Sequence, residues 1–347
     1  MLNPAFHSQL SKAFAEGLVV ESVNVRQMRR RPGSRHVFSC TLLIRNDRTG
    51  EQSSIELIGK RDTTRAAGKA AREFEAMRLL SDAGFRSDER FRIPWPAQLF
   101  PNLHVILQRK ARGSKLRTHV GKGSNTSMEY ARMAGLWLAK LHSLKVSSPQ
   151  VCTYANDIAS ARMFVKALSA DQPILAVDFQ RCAAAVEQQL AGFQGVPATM
   201  VHGDFHPDHI FVEKGRVAVI DFERFCLGDP ARDLGSFIAH ARTMACCCGR
   251  TLAAAQQDID AFLEGYLSAA PVRQGMATAS RIGPYATLSS LEALYYVASV
   301  LKVVDSGRIA MYVDSLRESE LPAVDFAAPL WVLQATLRCE ERIPESD

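Results

Sequence analysis

The chain has 347 residues, enough for one large two-lobed domain or two domains with a full core. Hydrophobic residues make up 47% and charged residues 22%, an ordinary globular balance, and no apolar run approaches the roughly 18 residues of a membrane span. The opening MLNPAFHSQLSKAFAEG lacks the basic-then-apolar layout of a secretory signal, so the expectation is a cytoplasmic protein without membrane contact. The eight cysteines have no C-x-x-C spacing of the zinc type. Cys246-Cys247-Cys248 occupy successive helical positions that point in different directions, and the expectation is reduced, mostly buried thiols. The net charge is +6, yet residues 229–347 hold ten Lys or Arg against fifteen Asp or Glu. The basic excess therefore lies in the first 228 residues, where it suits nucleotide phosphates. No basic motif interleaved with aromatics points to nucleic acid.

In chain order, residues 1–17 read as an amphipathic helix ending at Gly17. Val19 to Arg31, His36 to Asn46 and Ser53 to Lys60 alternate as strands, separated by turns at Pro32-Gly33 and Asp47-Arg48-Thr49-Gly50, which makes an antiparallel meander. Thr64 to Ala83 has helical spacing, with Phe74, Met77, Leu80 and Ala83 on one face. Pro94 to Phe100 and His104 to Gln108 are further strands. Beyond Gly113 come helical patterns at Met128 to Leu144, Phe179 to Phe193, Leu234 to Met244, Leu252 to Leu267, Ser289 to Val304 and Ala327 to Glu341. The expected fold is α+β and two-lobed. Residues 1–108 make a small antiparallel sheet with one long helix, 109–114 a hinge, and 115–347 a larger, mainly helical lobe.

Residues 202 to 222, HGDFHPDHIFVEKGRVAVIDF, interrupt the helical series. Ile210-Phe211-Val212 and Val217-Ala218-Val219-Ile220 form a hairpin around Glu213-Lys214-Gly215-Arg216, with Gly available for the turn. Folding back brings Asp221 level with His209. Two carboxylates, Asp204 and Asp221, so arranged suit metal-assisted phosphoryl transfer, in which one orients an attacking hydroxyl and the other binds a divalent ion. Upstream, Lys60 closes the third strand and Glu73 follows thirteen residues later, a pair suited to holding α- and β-phosphates. Glu75 competes for that place, and Glu73 is preferred because Met77 and Leu80 follow it at i+4 and i+7. An ordinary surface ion pair is the alternative. The turn Arg31-Pro32-Gly33-Ser34-Arg35 is a candidate cover for phosphates, with Ser34 among its donors, or else a solvated basic hairpin. Val105 to Arg109, including Gln108, is a candidate edge for the nucleotide base.

Together these residues resemble the aminoglycoside phosphotransferase and choline kinase-like family, which has the protein-kinase fold. HGDFHPDHIFV matches that family's H-G-D-x-H-x-x-N loop, IDFE its I-D-[WF]-E, and GDPARDL its G-D-P-x-x-D-L. The resemblance implies an ATP-dependent kinase, with GTP as the other donor, using Mg2+ or Mn2+ and acting on a hydroxyl of a small metabolite or aminoglycoside-like acceptor. Asp204 would orient that hydroxyl, Lys60 and Glu73 would position the nucleotide, and Asp221 would bind metal. His202 would hold the loop, His206 would pack it, and Asp233 would brace it. Glu223 is open between a water-mediated metal contact and an ion pair with Arg224. Where the family has Asn this chain has His209, a nitrogen that Mn2+ tolerates better than Mg2+. The competing reading is an inactive, nucleotide-binding pseudokinase.

Overall fold

The computed structural model describes residues 10, 18–29, 35–63, 68–146, 150–193, 198–271, 278–302, 309 and 313. The chain divides into two compact units, Met1–Gly113 with Ala218–Arg224, and Ser114–Val217 with Phe225–Asp347. Residues 218–224 thus leave the helical part of the sequence to join the first unit.

The first unit is built on strands β1 (Leu18–Arg29), β2 (His36–Asn46), β3 (Gln52–Arg61), β4 (Pro96–Phe100) and β5 (Val105–Arg109). Their order is β1-β2-β3-β5-β4, with antiparallel pairing throughout. Period-two alternation sets the buried face: Phe38, Cys40, Leu42 and Ile44 of β2 pack with Ile55, Leu57, Val105, Leu107 and Leu10. The β2–β3 turn is held by Asn46, whose Oδ1 accepts from the N–H groups of Arg48 and Thr49 at 2.9 and 3.1 Å, and by Gly50 at φ 73°. Helix α1 (Lys69–Leu80) buries Ala70, Glu73, Ala76, Met77 and Leu80, and Asp62 Oδ2 accepts from the N–H of Ala70 at its start, at 2.8 Å. It ends in a wider turn at Ser81–Phe85, where Gly84 takes φ 95°. The expected start at Thr64 and the turn at 31–34, Ser34 included, lie outside the described residues, as does the N-terminal helix apart from Leu10.

The second unit contains β6 (Ser114–Lys115), α2 (Asn125–His142), α3 (Tyr154–Asp171), α4 (Ala176–Ala191), β7 (Thr199–Val201) and β8 (Ile210–Glu213). Strand β9 (Arg216–Val219) then carries the chain into residues 218–224. After β10 (Cys226–Gly228) come α5 (Ala231–Cys247), α6 (Leu252–Ala269) and α7 (Ile282–Leu294). Helices α2 and α6 touch backbone to backbone: a Cβ on Gly135 would lie 2.1 Å from Phe262 O, and one on Gly265 would lie 2.2 Å from Arg132 O. Phe205 fills the space beside this contact, stacking on Trp137 and Phe262.

Three differences from the sequence reading stand out. Helix α3 was not expected, because its buried apolar residues (Ala161, Phe164, Val165, Leu168) begin only after its first two turns. Its start was readable in Thr153 and Asn156, which form a capping box. Cys246 and Cys247 are half-buried and Cys248 is exposed; the run winds round the end of α5, whose buried face is taken by Ala241 and Ala245. Cys152 and Cys226 form a disulfide, which no local spacing announced. The pattern at Ala327 to Glu341 lies outside the described residues. Among the described residues no helix is long and apolar enough to cross a membrane.

Candidate active site

In the first unit the end of β3 and the buried face of α1 bring opposite charges together. Lys60, 5% exposed, places Nζ 2.6 Å from Glu73 Oε1 and 2.7 Å from Asp221 Oδ1. Glu73 is fully buried whereas Glu75 is largely exposed, and of the two it is Glu73 that meets Lys60. Arg35 Nη1 binds the second oxygen of Glu73 at 2.5 Å and Glu223 Oε2 at 3.2 Å, and its Nε lies 3.0 Å from Asp62 Oδ1. Lys69 holds the other oxygen of Glu223 at 2.7 Å. Glu223 therefore pairs with Arg35 and Lys69.

Burial opposes the charge of Lys60, but Asp221 and Glu73 outweigh it and raise its pKa above the ordinary lysine value. The Arg35 guanidinium is likewise raised: burial works against it, and Glu73, then Asp221 and Glu223, prevail. Three cations face four carboxylates, an excess of negative charge that suits a cation arriving with a polyphosphate. Asp221 adopts φ 74°, a conformation costly for a residue with a side chain and concentrated at functional sites. Phe222, 1% exposed, anchors the turn directly after it.

Gln108 sits in β5, 2% exposed, and its Oε1 has no hydrogen-bond partner among the described residues. A buried carbonyl oxygen left so calls for a donor from water or ligand.

In the second unit the loop from His202 to His209 joins β7 to β8. Asp233, fully buried in the first turn of α5, organises it. Asp233 accepts from the backbone N–H groups of His202 and Gly203 at 2.7 and 2.9 Å, and its Oδ2 is 3.1 Å from His142 Nε2. His142 is in turn held by Tyr266 OH at 3.0 Å from Nδ1. His202, buried, accepts the N–H of Asp204 on Nδ1 at 3.2 Å. Asp204 is thereby presented on a rigid loop. His206 Nε2 and His209 Nδ1 each stand 3.7 Å from an oxygen of its carboxylate. The rings of His206 and His209 are 3.9 Å apart, and His240 stacks on His206 at 4.3 Å. Burial lowers the pKa of His240. Asp229 accepts from the N–H of Ala231 at 3.0 Å and pairs with Arg281 through Nε at 2.7 Å and Nη2 at 3.0 Å, a bidentate brace under α5.

Of the residues expected to act together, Lys60, Glu73 and Asp221 meet in the first unit, and Asp204 and His209 meet in the second. Sequence reasoning missed Arg35, Asp62 and Lys69 as partners in the charged cluster, although Arg35 closes a turn already marked as basic. It also missed that His206 lies as near Asp204 as His209 does; the H-x-x-H spacing from 206 to 209 was the available signal.

A five-stranded sheet bearing a buried Lys–Glu pair, followed in sequence by a helical unit that presents an H-G-D loop, is the protein-kinase-like fold. The phosphotransferase enzyme family (APH) model matches residues 44–276, and the chain belongs to that family. Its fold is similar to a choline/ethanolamine kinase family protein from Mesorhizobium loti (19% identity, TM-score 0.54, 94% of this chain and 98% of that one). It is also similar to the ADP-bound aminoglycoside phosphotransferase APH(2'')-Ib (15%, TM-score 0.54, 91% and 97%). Amicoumacin kinase hAmiN, in complex with AMP-PNP, Ca2+ and Ami, aligns at 13% identity and TM-score 0.58 over 90% and 96%. A search of curated proteins found no match.

Proposed function

We propose that the protein transfers the γ-phosphoryl group of ATP to a hydroxyl of a small, cationic acceptor. The observation that carries this reading is Lys60 Nζ held between Glu73 and Asp221 at 2.6 and 2.7 Å beside a second cation, Arg35. A buried ammonium aimed by a carboxylate is what a nucleotide's α- and β-phosphates require. Asp221 fits a divalent ion: its carboxylate is a hard oxygen donor, 27% exposed, on a backbone strained into place. The ion, when bound, would neutralise charge on the phosphate oxygens.

The remaining roles belong to the chain itself. Lys60 holds the donor phosphates, Gln108 lies on the strand read as the base-binding edge, and Asp204 accepts a hydrogen bond from the acceptor hydroxyl and takes up its proton. The loop that carries Asp204 owes its rigidity to Asp233 and His142. Acidic excess in residues 229–347 supports a cationic acceptor such as an amino-alcohol or aminoglycoside.

The test is ATP consumption by the purified protein in Mg2+ and in Mn2+ across a panel of amino-alcohols and aminoglycosides, with GTP as the second donor. Acceptor-dependent ADP release, abolished in Asp204→Asn, is the expected result. Nucleotide binding with no turnover over the panel would overturn it in favour of a pseudokinase.

A further inference from the structure

We propose that Asp204, His206 and His209 form a binding site for a transition-metal ion of the Zn2+ class, and that its occupancy withdraws Asp204 from catalysis. The second half rests on the reading of Asp204 as the residue that orients the acceptor. One ligand atom from each of the three side chains lies within 4.8 Å of the other two. A tetrahedral zinc ion with bonds of about 2.0–2.2 Å needs its ligands roughly 3.4 Å apart, so side-chain rotations of about an ångström close the set. Two of the three are imidazoles, which suit Zn2+, Co2+ or Ni2+ and discriminate against Mg2+. The site therefore selects a different ion from the one that accompanies the nucleotide.

Surrounding groups hold the rings in ligand orientation. His209 Nδ1 is 3.0 Å from the backbone oxygen of Asp204 and 3.7 Å from a carboxylate oxygen of the same residue, which fixes the ring beside the prospective ligand oxygen. His206 is clasped between the rings of His209 and His240. Its Nδ1 accepts from the N–H of Asp208 at 3.3 Å, which puts the metal-free proton on Nε2. Binding through Nε2 moves the ring proton from Nε2 to Nδ1 by exchange with solvent, with no net proton lost, and gives up that long bond. The side chains of Asp204, His206 and His209 are 23, 11 and 15% exposed, so the cluster is partly enclosed yet reachable. The second nitrogen comes from His209, which stands where the family loop has Asn.

The probe is Co2+, whose visible d–d absorption reports coordination without any assay of activity. Full-length protein freed of metal with chelator is titrated with Co2+ and then with Zn2+. One equivalent should bind saturably, Zn2+ should displace it, and His206→Gln and His209→Asn should each weaken binding by about 10–100-fold. The triple variant Cys246→Ser, Cys247→Ser, Cys248→Ser should keep the signal, which excludes the soft thiol run as its source. Absence of saturable absorption, or a signal indifferent to both histidine variants, overturns the site; if His206→Gln does not fold, His209→Asn decides. In a parallel assay in Mg2+, turnover should fall in step with Zn2+ occupancy, and full occupancy with undiminished turnover overturns the silencing. No turnover in Mg2+ alone, by contrast, tells against the phosphotransferase reading, and the Co2+ titration still judges the site.

Discussion

The ring of Phe38 occupies the place that a side chain at residue 59 would need: a Cβ on Gly59 would fall 2.1 Å from Phe38 Cζ. The two residues are register partners on β2 and β3, and Lys60 follows directly. A cross-strand aromatic covering a glycine so packs the strand beside the buried ammonium. Gly59→Ala should destabilise the protein by about 1–3 kcal/mol through overpacking. Combined with Phe38→Ala, the cost should be well below the sum of the two, because the clash is gone. Urea unfolding of the two single variants and the double variant measures both.

Arg35 is the cation that Glu73, Asp62 and Glu223 share. Arg35→Met leaves carboxylates buried with too little opposing charge, and the expected loss is about 3–5 kcal/mol in urea unfolding. Arg35→Lys should restore only part of it, since an ammonium cannot reach three carboxylates with a planar fork.

Lys60→Met should lower kcat/KM for ATP by about 100-fold or more, since the group that meets the phosphates is lost. The raised pKa of Lys60 also sets a pH dependence. Stability from its ion pairs is fully present below the unfolded value of about 10.4 and is lost as pH rises through the higher folded value. Nucleotide affinity measured between pH 7 and 10 should accordingly show no loss traceable to this lysine. A fall centred below pH 10 that Lys60→Arg removes would contradict the assignment.

Asp204→Asn should reduce turnover by about 10²–10⁴-fold while the thermal shift produced by nucleotide persists, because the Lys60 cluster is untouched. Loss of nucleotide binding in this variant would move Asp204 from acceptor orientation to donor binding.

The Cys152–Cys226 disulfide spans 74 residues of sequence, including α3, α4 and the 202–209 loop. Cys226→Ser should cost about 2–4 kcal/mol, the typical worth of such a bond, read as the difference in urea midpoint between oxidised wild type and variant. Equal midpoints with and without reductant would show that the bond carries no stability.

Much of the molecule was legible as short-range pattern. Alternation in β2 and β3, the apolar stripe that singles out Glu73 over Glu75, and the H-G-D and I-D-F-E runs each express a period or turn that lies within a dozen neighbouring residues. Chain order alone therefore determined the sheet-then-helix architecture and named Lys60, Glu73, Asp204 and Asp221. Tertiary structure decided who meets whom. Arg35 reaches Glu73 across 38 residues and Glu223 across 188, and Asp233 reaches back 31 to His202. The disulfide and the approach of His206 to Asp204 depend on the same folding. Partners so distant are chosen by where strands pair and helices cross, and a local sequence window holds no record of that geometry.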